Sequence, residues 1–514
     1  DSTGKSISKA DDYTLTIDWD LRDDLTLTSI TGYLDGELDI PHDCDGHPVA
    51  TCFVNFTGEF DQFNQDLRLT WVGDQSTFIA GVYYGEDEID TLNEEVFFGP
   101  LAAFAGFPTA AIGAIAPAVP LAAEIYDALI DAGLSAFPVF NPPVDSYILP
   151  PPDGLGAFQG DPDVLATGFR AESQFTQERE SIAIYAEGTY DFADRWRVTA
   201  GLRYTDDSFT LSDLRSTFYD LTTNTAQYNA IPLNPVPDQD DVLPDLEDDS
   251  QEVTGRVILD YRFNDDLLSY ASYSRGYRAG TFNGKASQSE SQVTFVEPEF
   301  VDNYEVGLKS RLLDNQLQLN AALFYADYTD QQVQEIVGAT SFLRNASGSM
   351  LGLELEMEAY LTDSLYLGAS FGYLDSEYDS GEVVNGIDIG GNQFPFAPEV
   401  SASLFASWEI LQFAGGVLEL NGIVRYQDLV WFDPFNDLKT KNNGPGPSGQ
   451  FQDDYTLLDA RLAYRAGSYE IALWGRNLTD EFYYVSGFDT SAFLADDLTR
   501  GEPRTYGLEA RINF

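Results

Sequence analysis

Cysteine, histidine and methionine are scarce in this chain of 514 residues, which has two of each. A cysteine-ligated zinc or iron–sulfur centre needs more thiolates, and a disulfide-dense secreted scaffold of this length needs many more. Positive charge is also scarce, since 27 Lys and Arg face 85 Asp and Glu and leave a formal net charge of −58. Nucleic-acid binding needs a positive surface, so this composition excludes it.

Long apolar runs are missing as well. A membrane-spanning helix needs roughly 20 consecutive apolar residues. The one long apolar segment, residues 100–140, is interrupted by Pro108, Pro117, Pro120 and Pro138. The chain is nevertheless 43% hydrophobic and 14% aromatic, with 35 Phe and 29 Tyr, so it is not a disordered acidic polymer. Its hydrophobicity must follow a pattern other than the helical one.

That pattern is strict alternation. Near the end of the chain, one face of the segment carries Tyr506, Leu508, Ala510, Ile512 and Phe514, and polar residues lie between them. Residues 195–205, 316–325 and 348–361 alternate in the same way. A period of two predicts strands with one apolar and one polar face. Strands of about ten residues with aromatic ends are typical of a transmembrane β-barrel. A soluble propeller or β-helix is the alternative, but the chain has no repeat of fixed period.

The connections between strands also alternate. We predict seventeen strands, which begin near residues 13, 25, 66, 77, 181, 195, 253, 267, 302, 316, 348, 364, 400, 417, 454, 468 and 503. Short and long links follow each other without exception, and the longest link is an insertion at 91–177 with an apolar part at 101–137. Short periplasmic turns and long outer loops characterise bacterial outer-membrane barrels. We therefore predict an all-β, transmembrane antiparallel β-barrel that occupies residues 1–514.

An odd strand count leaves the barrel without a regular closure. The first and last predicted strands run in the same direction, so joining them would make a parallel pair. Open sheet edges are not tolerated in lipid. We therefore expect a gap or strained seam between the strand near Tyr13 and the strand near Tyr506, and we expect this chain to be the C-terminal part of a longer protein.

Several segments resemble the TonB-dependent outer-membrane receptors. They include YSRGYRAG at 273–280, NYEVGLK at 303–309 and WGRNLTD at 474–480, and the matches run through the whole chain in the family's order. The resemblance implies a barrel of twenty-two strands, of which this chain would supply the last seventeen. It also implies an N-terminal plug domain and a TonB box, both missing from this sequence, and places the protein in the bacterial outer membrane.

The function that this resemblance implies is TonB-energised uptake of a scarce nutrient, with a ferric siderophore as the expected substrate. Haem, cobalamin and oligosaccharides remain open, and a passive porin-like channel is the alternative from another class. The implied partners are TonB with ExbB and ExbD, reached through the missing N-terminal region, together with outer-membrane lipid. Catalysis is not expected, because the sequence has no GxSxG, HExxH or P-loop motif.

Aromatic and arginine side chains near the outer ends of strands are the candidate substrate-binding residues. They are Tyr83, Tyr84, Arg275, Tyr277, Arg278, Tyr483 and Tyr484. Aromatic faces bind apolar or sugar surfaces, and arginine can bind carboxylate or hydroxamate oxygens through two parallel hydrogen bonds. Tyrosine at strand ends is also expected from the interfacial girdle alone. Arg275 shares a parity with Tyr273 and Tyr277, so it points into the lumen with them or lies above the bilayer; we expect it at the rim.

Two further features lie in predicted outer loops. Cys44 and Cys52 are expected to form a disulfide in an oxidising compartment. The alternatives are a loop metal site that uses His42, Asp43, Asp45 and His47, or contact of His42 and His47 with a haem iron. Acidic runs comprise Asp238, Asp240, Asp241, Asp245, Glu247, Asp248 and Asp249 in one loop, and Glu86, Asp87, Glu88 and Asp90 at the top of a strand. Such carboxylates suit Ca²⁺, but none has EF-hand spacing. We therefore expect a solvated acidic surface, with no cofactor.

Overall fold

A computed structural model describes residues 5–42, 52–98, 168–220, 224–234, 241–284, 290–337, 340–384, 386–436, 450–488 and 497–513. The predicted disulfide partner Cys44, the histidine His47 and the apolar loop segment 101–137 lie outside these residues, as do Asp43, Asp45, Asp238 and Asp240. The side chain of Cys52 also lies outside the described part of the chain.

Within the described residues, seventeen long or medium strands form the main sheet. They are β1 (Ile7–Arg22), β2 (Leu25–His42), β3 (Cys52–Val72), β4 (Ser76–Phe98), β5 (Gly168–Ala193), β6 (Trp196–Asp220), β8 (Leu246–Asn264), β9 (Leu267–Arg278), β12 (Glu299–Leu312), β13 (Leu317–Val337), β14 (Thr340–Thr362), β15 (Leu365–Tyr378), β18 (Val400–Phe413), β19 (Gly416–Gln427), β22 (Tyr455–Ala466), β23 (Tyr469–Arg476) and β26 (Thr505–Ile512).

Shorter elements lie in the links between these strands. They are β7 (Ala226–Ile231), β10 (Thr281–Phe282), β11 (Phe295–Val296), β16 (Val383–Val384), β17 (Ile387–Asp388), β20 (Val430–Trp431), β21 (Phe451–Gln452), β24 (Tyr484–Phe488), β25 (Asp497–Arg500) and a 3₁₀ turn at Glu290–Gln292. The described part of the chain contains no helix long and apolar enough to cross a bilayer.

Each body strand pairs antiparallel with the next one along the chain, so the sheet is a meander from β1 to β26. The short strand β7 adds to the same sheet but pairs with β6 alone. This confirms the predicted count of seventeen and the antiparallel topology. Within the described residues, β1 pairs only with β2 and β26 only with β23, which leaves the predicted gap between the first and last strands.

Several strands extend further outward than predicted. The link predicted at 91–177 is shorter at both ends, because β4 continues to Phe98 and β5 already begins at Gly168. Glu247, Asp248 and Asp249 belong to β8 rather than to a loop, and they pair with Thr210, Phe209 and Ser208 of β6. The strict alternation of link lengths also has an exception, since only residues 338–339 separate β13 from β14. Above a bilayer neither face of a hairpin needs to be apolar, so the alternation that marks a strand is lost there.

The alternating residues place one apolar face on the outside of the sheet. Leu420, Leu462, Leu473 and Leu508 form a continuous cross-strand row on four neighbouring strands. Leu508 is 70% exposed, and Leu202 of β6, on the same face of the sheet, is 67% exposed. Exposed leucine over so large an area is what a lipid-facing surface requires. Polar residues such as Arg203, Glu354 and Glu470 occupy the opposite face, which is the lumen wall.

An aromatic row ends this apolar surface at its outer edge. On one side it contains Tyr13, Tyr33 and Phe63 in register, and on another Tyr273, Tyr304 and Tyr325. Such rows mark the membrane–water interface. Four residues above Tyr84 on the same face, Glu88 lies outside this boundary. Partial burial, with repulsion from Asp90 and Glu178, raises the pKa of the Glu88 carboxyl.

Two small apolar cores lie among the outer extensions. One packs Phe209, Leu211, Leu214 and Ile231 of the β5–β8 region with Phe282. The other packs Val333, Ile389 and Phe394 around Tyr378, and burial there raises the pKa of the Tyr378 phenol. These cores give the outer hairpins a fixed position relative to the barrel wall below them.

Candidate binding site on the lumen wall

Three successive cross-strand rows on the lumen face of β3 to β8 bring polar residues together near the outer rim. The middle row contains Asp66, Tyr83, Ala183, Thr205 and Glu252. The rows on either side contribute Tyr185 with Arg203, and Asp207 with Ser250. We call Asp66, Tyr83, Tyr185, Arg203, Thr205, Asp207, Ser250, Glu252 and Tyr277 the rim cluster.

The lower part of the rim cluster is built around two tyrosine rings. The Tyr185 hydroxyl donates to Asp66 Oδ2 at 2.7 Å. The Arg203 guanidinium lies 5.1 Å from the centre of the Tyr83 ring and 5.9 Å from that of Tyr185, and its Nε donates to Thr205 Oγ1 at 3.0 Å. Gly81 makes the arrangement possible, because a Cβ at this position would lie 2.5 Å from the Tyr185 ring. The Tyr185 ring therefore lies against the wall at Gly81, and the Arg203 guanidinium lies over both rings.

The upper part of the rim cluster links two strands that are not neighbours. Pairing of β8 with β9 ends at Gly255 and Arg275. Tyr277 has the outward parity of Tyr273, but it lies beyond the point where β9 stops pairing with β8. Its hydroxyl reaches past β8 and donates to Asp207 Oδ2 of β6 at 2.5 Å. Asp207 is only 2% exposed. A charged acceptor this deeply buried requires its donor, so Tyr277 fixes the tip of β9 to the wall.

The structure separates the sequence-predicted residues on these strands. Tyr83 and Tyr277 belong to the rim cluster. Tyr84 has the opposite parity, on the outward face, and its hydroxyl donates to Glu86 at 3.0 Å. Arg275 shares the outward parity of the tyrosine row and lies above it, where Nη1 is 2.5 Å from Asp302 and the guanidinium lies 4.6 Å from the Phe300 ring centre. Arg278 is exposed at the end of β9.

Tyr483 and Tyr484 lie in a different group of side chains, in the links around β22 and β24. Tyr483 stacks on Tyr455 with ring centres 4.7 Å apart. The Tyr484 ring meets Phe482 edge to face at 5.2 Å, and the Arg500 guanidinium lies 4.2 Å from the Phe482 ring centre. The predicted residues thus fall into two aromatic groups, two outward-facing side chains (Tyr84 and Arg275) and the exposed Arg278, rather than one cluster.

The lumen wall nearer the periplasm carries charges that are paired among themselves on β19 to β26. Glu470 accepts from Arg461 Nη2 at 2.5 Å and from Arg465 Nε. The same arginines also pair with Glu509 at 3.0 Å and with Glu419 at 2.7 Å. This network connects four strands across the wall, and it leaves its guanidinium groups little capacity to bind an anionic ligand.

A cavity of about 510 Å³ lies between β9 and β14, close to the periplasmic turns. Its polar lining includes Glu305, Glu354, Glu356, Lys309 and Tyr270. The Tyr270 hydroxyl donates to Glu305 at 2.5 Å. Among the residues that the structure describes, no group of three or more His, Cys, Asp and Glu could hold a metal ion.

Comparison with known proteins establishes the family of this chain. The sequence profile described as "TonB dependent receptor-like, beta-barrel" matches residues 1–478. The chain belongs to this family. TonB-dependent receptors are outer-membrane barrels, and the two-faced sheet described above is the barrel of such a receptor. The family consists of transport receptors rather than enzymes.

Two curated relatives of this TonB-dependent receptor barrel share about a quarter of their residues with it. The probable TonB-dependent siderophore receptor PiuA of Acinetobacter baumannii is 24% identical over 359 residues, which are 67% of this chain and 42% of that protein. The pesticin receptor of Yersinia pestis is 24% identical over 338 residues, or 65% of this chain and 44% of that protein. The chain therefore spans less than half the length of these relatives.

The fold is shared with a solved structure of the family. The ferric yersiniabactin uptake receptor FyuA from Yersinia pestis superposes with a TM-score of 0.68 at 17% identity, over 100% of this chain and 63% of that one. At this identity the superposition establishes the barrel fold of this TonB-dependent receptor chain.

Sequence reasoning missed the partners that define the rim cluster. Asp66, Tyr185, Arg203 and Asp207 all lie on lumen-parity positions of strands that were predicted correctly, but no residue pattern links them. A signal was available in the parity itself, because Tyr83 and Tyr84 are adjacent and must point to opposite faces of one strand. Only the cross-strand register brings the remaining residues into the same rows.

Proposed function

We propose that this chain is the barrel of a receptor for TonB-energised uptake of a ferric siderophore. The observation that carries the proposal is the rim cluster, a partly buried polar and aromatic surface at the outer end of a lumen wall in a chain of this family. The names of similar proteins support the substrate class, since they include a siderophore receptor, a ferric yersiniabactin uptake receptor and a ferrichrome transporter.

In this proposal the iron complex enters from outside and docks against the tyrosine faces and carboxylates of the rim cluster. No covalent chemistry is needed, because binding and a later conformational change are sufficient for import. TonB, acting with ExbB and ExbD, would supply the energy by engaging a region of the receptor that precedes the barrel.

Uptake by cells tests this proposal. The full-length form is expressed in a strain that lacks its own siderophore receptors, and radioactive iron is supplied as a ferric siderophore. We expect accumulation that requires both the receptor and an intact TonB. Accumulation that persists without TonB would support a passive channel instead, and binding of haem, cobalamin or an oligosaccharide without binding of ferric siderophores would replace the substrate class.

A further inference from the structure

The rim cluster offers an incoming ligand mainly acceptors. One Asp66 oxygen accepts from Tyr185, but its Oδ1 is buried and has no hydrogen-bond partner among the described residues. Asp207 adds a second carboxylate, and Glu252 adds a third in the row between them. Two arginines face these three carboxylates: Arg203 is held over the tyrosine rings, and Arg68 lies in the same cross-strand row as Tyr185 and Arg203. A ligand that meets this surface encounters more negative than positive charge.

Two hydroxyl donors of the rim cluster are already engaged. The hydroxyls of Tyr185 and Tyr277 both donate to carboxylates of the cluster. Nearby guanidinium groups are neutralised in the same way: Arg179 donates from Nε and Nη2 to Asp87 at 3.0 and 2.6 Å, and Arg275 pairs with Asp302. An anionic ligand would have to break these bonds before it could form its own.

Ser250 supplies an independent sign that a ligand group is missing. Its side chain is 8% exposed and its hydroxyl has no hydrogen-bond partner among the described residues. It lies directly opposite Asp207 in the β6–β8 register. An unsatisfied buried hydroxyl is unfavourable, and a polar group of the ligand placed between Ser250 and Asp207 would satisfy it.

Ferric siderophores differ in charge in a way that this surface can detect. Dianionic catecholates give an iron complex with a multiple negative charge. Monoanionic hydroxamates balance the ferric charge, and an added ammonium group makes the complex positive. Fields from clefts lined by one sign of charge attract opposite charge and repel like charge. The formal charge of −58 on the chain adds to the local effect.

We propose that the rim cluster selects a neutral or positively charged, hydrogen-bond-donating iron complex, with Asp66, Asp207 and Ser250 as its specificity-determining residues. This inference rests on the proposed uptake function and deepens it by naming the substrate class. It predicts a trihydroxamate complex, especially one with a free ammonium group, rather than a tricatecholate complex.

Direct binding measurements test this selectivity in the full-length receptor. The probes are a ferric trihydroxamate with an ammonium group, a neutral ferric trihydroxamate and a ferric tricatecholate, each titrated at low and at physiological salt. We expect both hydroxamate complexes to bind at least about tenfold more tightly than the catecholate, with the larger difference at low salt. Tighter binding of the catecholate would overturn the inference but leave the uptake function intact, whereas binding of none of the three would refute that function itself.

Charge-neutral variants locate the effect. Replacing both acids, Asp66→Asn with Asp207→Asn, is expected to reduce the preference for the ammonium-bearing complex over the catecholate about tenfold. The matched control is Asp74→Asn with Asp363→Asn, in the periplasmic turns between β3 and β4 and between β14 and β15, which removes the same two charges far from the rim. An unchanged preference in the double variant, or an equal change in the control, would contradict the inference.

A third variant remains informative even if the double variant does not fold. Ser250→Ala removes a hydroxyl that makes no internal hydrogen bond among the described residues, so folding should be unaffected. We expect affinity for the neutral hydroxamate complex to fall severalfold. Unchanged affinity in a folded Ser250→Ala receptor would exclude Ser250 from the ligand site.

Discussion

Two adjacent alanines on β13 provide a matched test of the two-faced barrel. Ala321 has Leu308 and Leu355 as cross-strand neighbours and faces outward, whereas Ala322 has Gly307 and Glu354 and faces the lumen. Ala321 is four residues from the start of the strand at Leu317 and four from the interfacial Tyr325. At about 3.3 Å per residue, roughly 13 Å of strand separates it from either boundary, which places it near the bilayer midplane.

Arginine at these two positions should have very different consequences. A lipid-facing arginine at the midplane costs about 2–4 kcal/mol. At 1.4 kcal/mol per factor of ten, Ala321→Arg should reduce the folding equilibrium constant about 30-fold to 700-fold. Ala322→Arg places the same group in an aqueous lumen opposite Glu354, where the change should stay within about 1 kcal/mol.

Urea unfolding of the full-length protein in lipid vesicles, followed by tryptophan fluorescence, measures both values. Ala321→Gln separates the effect of charge from that of side-chain length. Equal losses of stability at Ala321 and Ala322, or a larger loss at Ala322, would refute the assignment of faces on which the lumen site depends.

Three further predictions concern individual contacts. Glu470→Gln should lower the free energy of unfolding by about 1–3 kcal/mol, because two charge-assisted hydrogen bonds are weakened. The control Arg504→Gln, which breaks an exposed ion pair with Asp480, should change it by less than about 1 kcal/mol. Comparable losses for the two variants in urea melts would contradict this prediction. Tyr277→Phe should speed hydrogen exchange at the tip of β9, whereas Tyr273→Phe, whose hydroxyl donates to the more accessible Asp302, should not; identical exchange in both variants would argue against the β9–β6 link. Because the pKa of Glu88 is raised, this carboxyl stabilises the outer ends of β3 and β4 at pH values below the pKa of an ordinary glutamate. The contribution is lost as pH rises through the raised pKa. Glu88→Gln should therefore increase hydrogen-exchange protection at the outer ends of β3 and β4 at pH 7 but not at low pH. The control Asp74→Asn, in the periplasmic turn, should not have this effect. A change in protection that does not depend on pH would contradict the raised pKa of Glu88.

Much of the barrel could be predicted because lipid imposes a strict pattern. An outward face that meets lipid must be apolar at every second residue. Segments such as the one containing Leu508 and Ile512 can therefore be recognised as strands from the sequence. That constraint ends at the aromatic row. The first residues of β8, Leu246 to Asp249, and the outer part of β4 after Glu86 are strands in water, and their acidic composition indicates a loop.

The candidate site was predictable only in part, for a different reason. Tyr83 and Tyr277 stand out as aromatic residues near strand ends, but the acids and the arginine that orient them come from β3 and β6. Strand order and register are properties of the whole sheet, and a single sequence does not encode them in any local pattern. Arg275 illustrates the limit, since its parity was known but its partner, Asp302, lies on the neighbouring strand β12.

The central claim is that this barrel belongs to an energised receptor for ferric siderophores. The most direct measurement is accumulation of radioactive iron from a ferric trihydroxamate in cells that express the full-length protein as their only siderophore receptor, compared between strains with and without TonB. The account predicts saturable accumulation that is lost without TonB and reduced by Asp66→Asn with Asp207→Asn. Accumulation of the same size in both strains would contradict it.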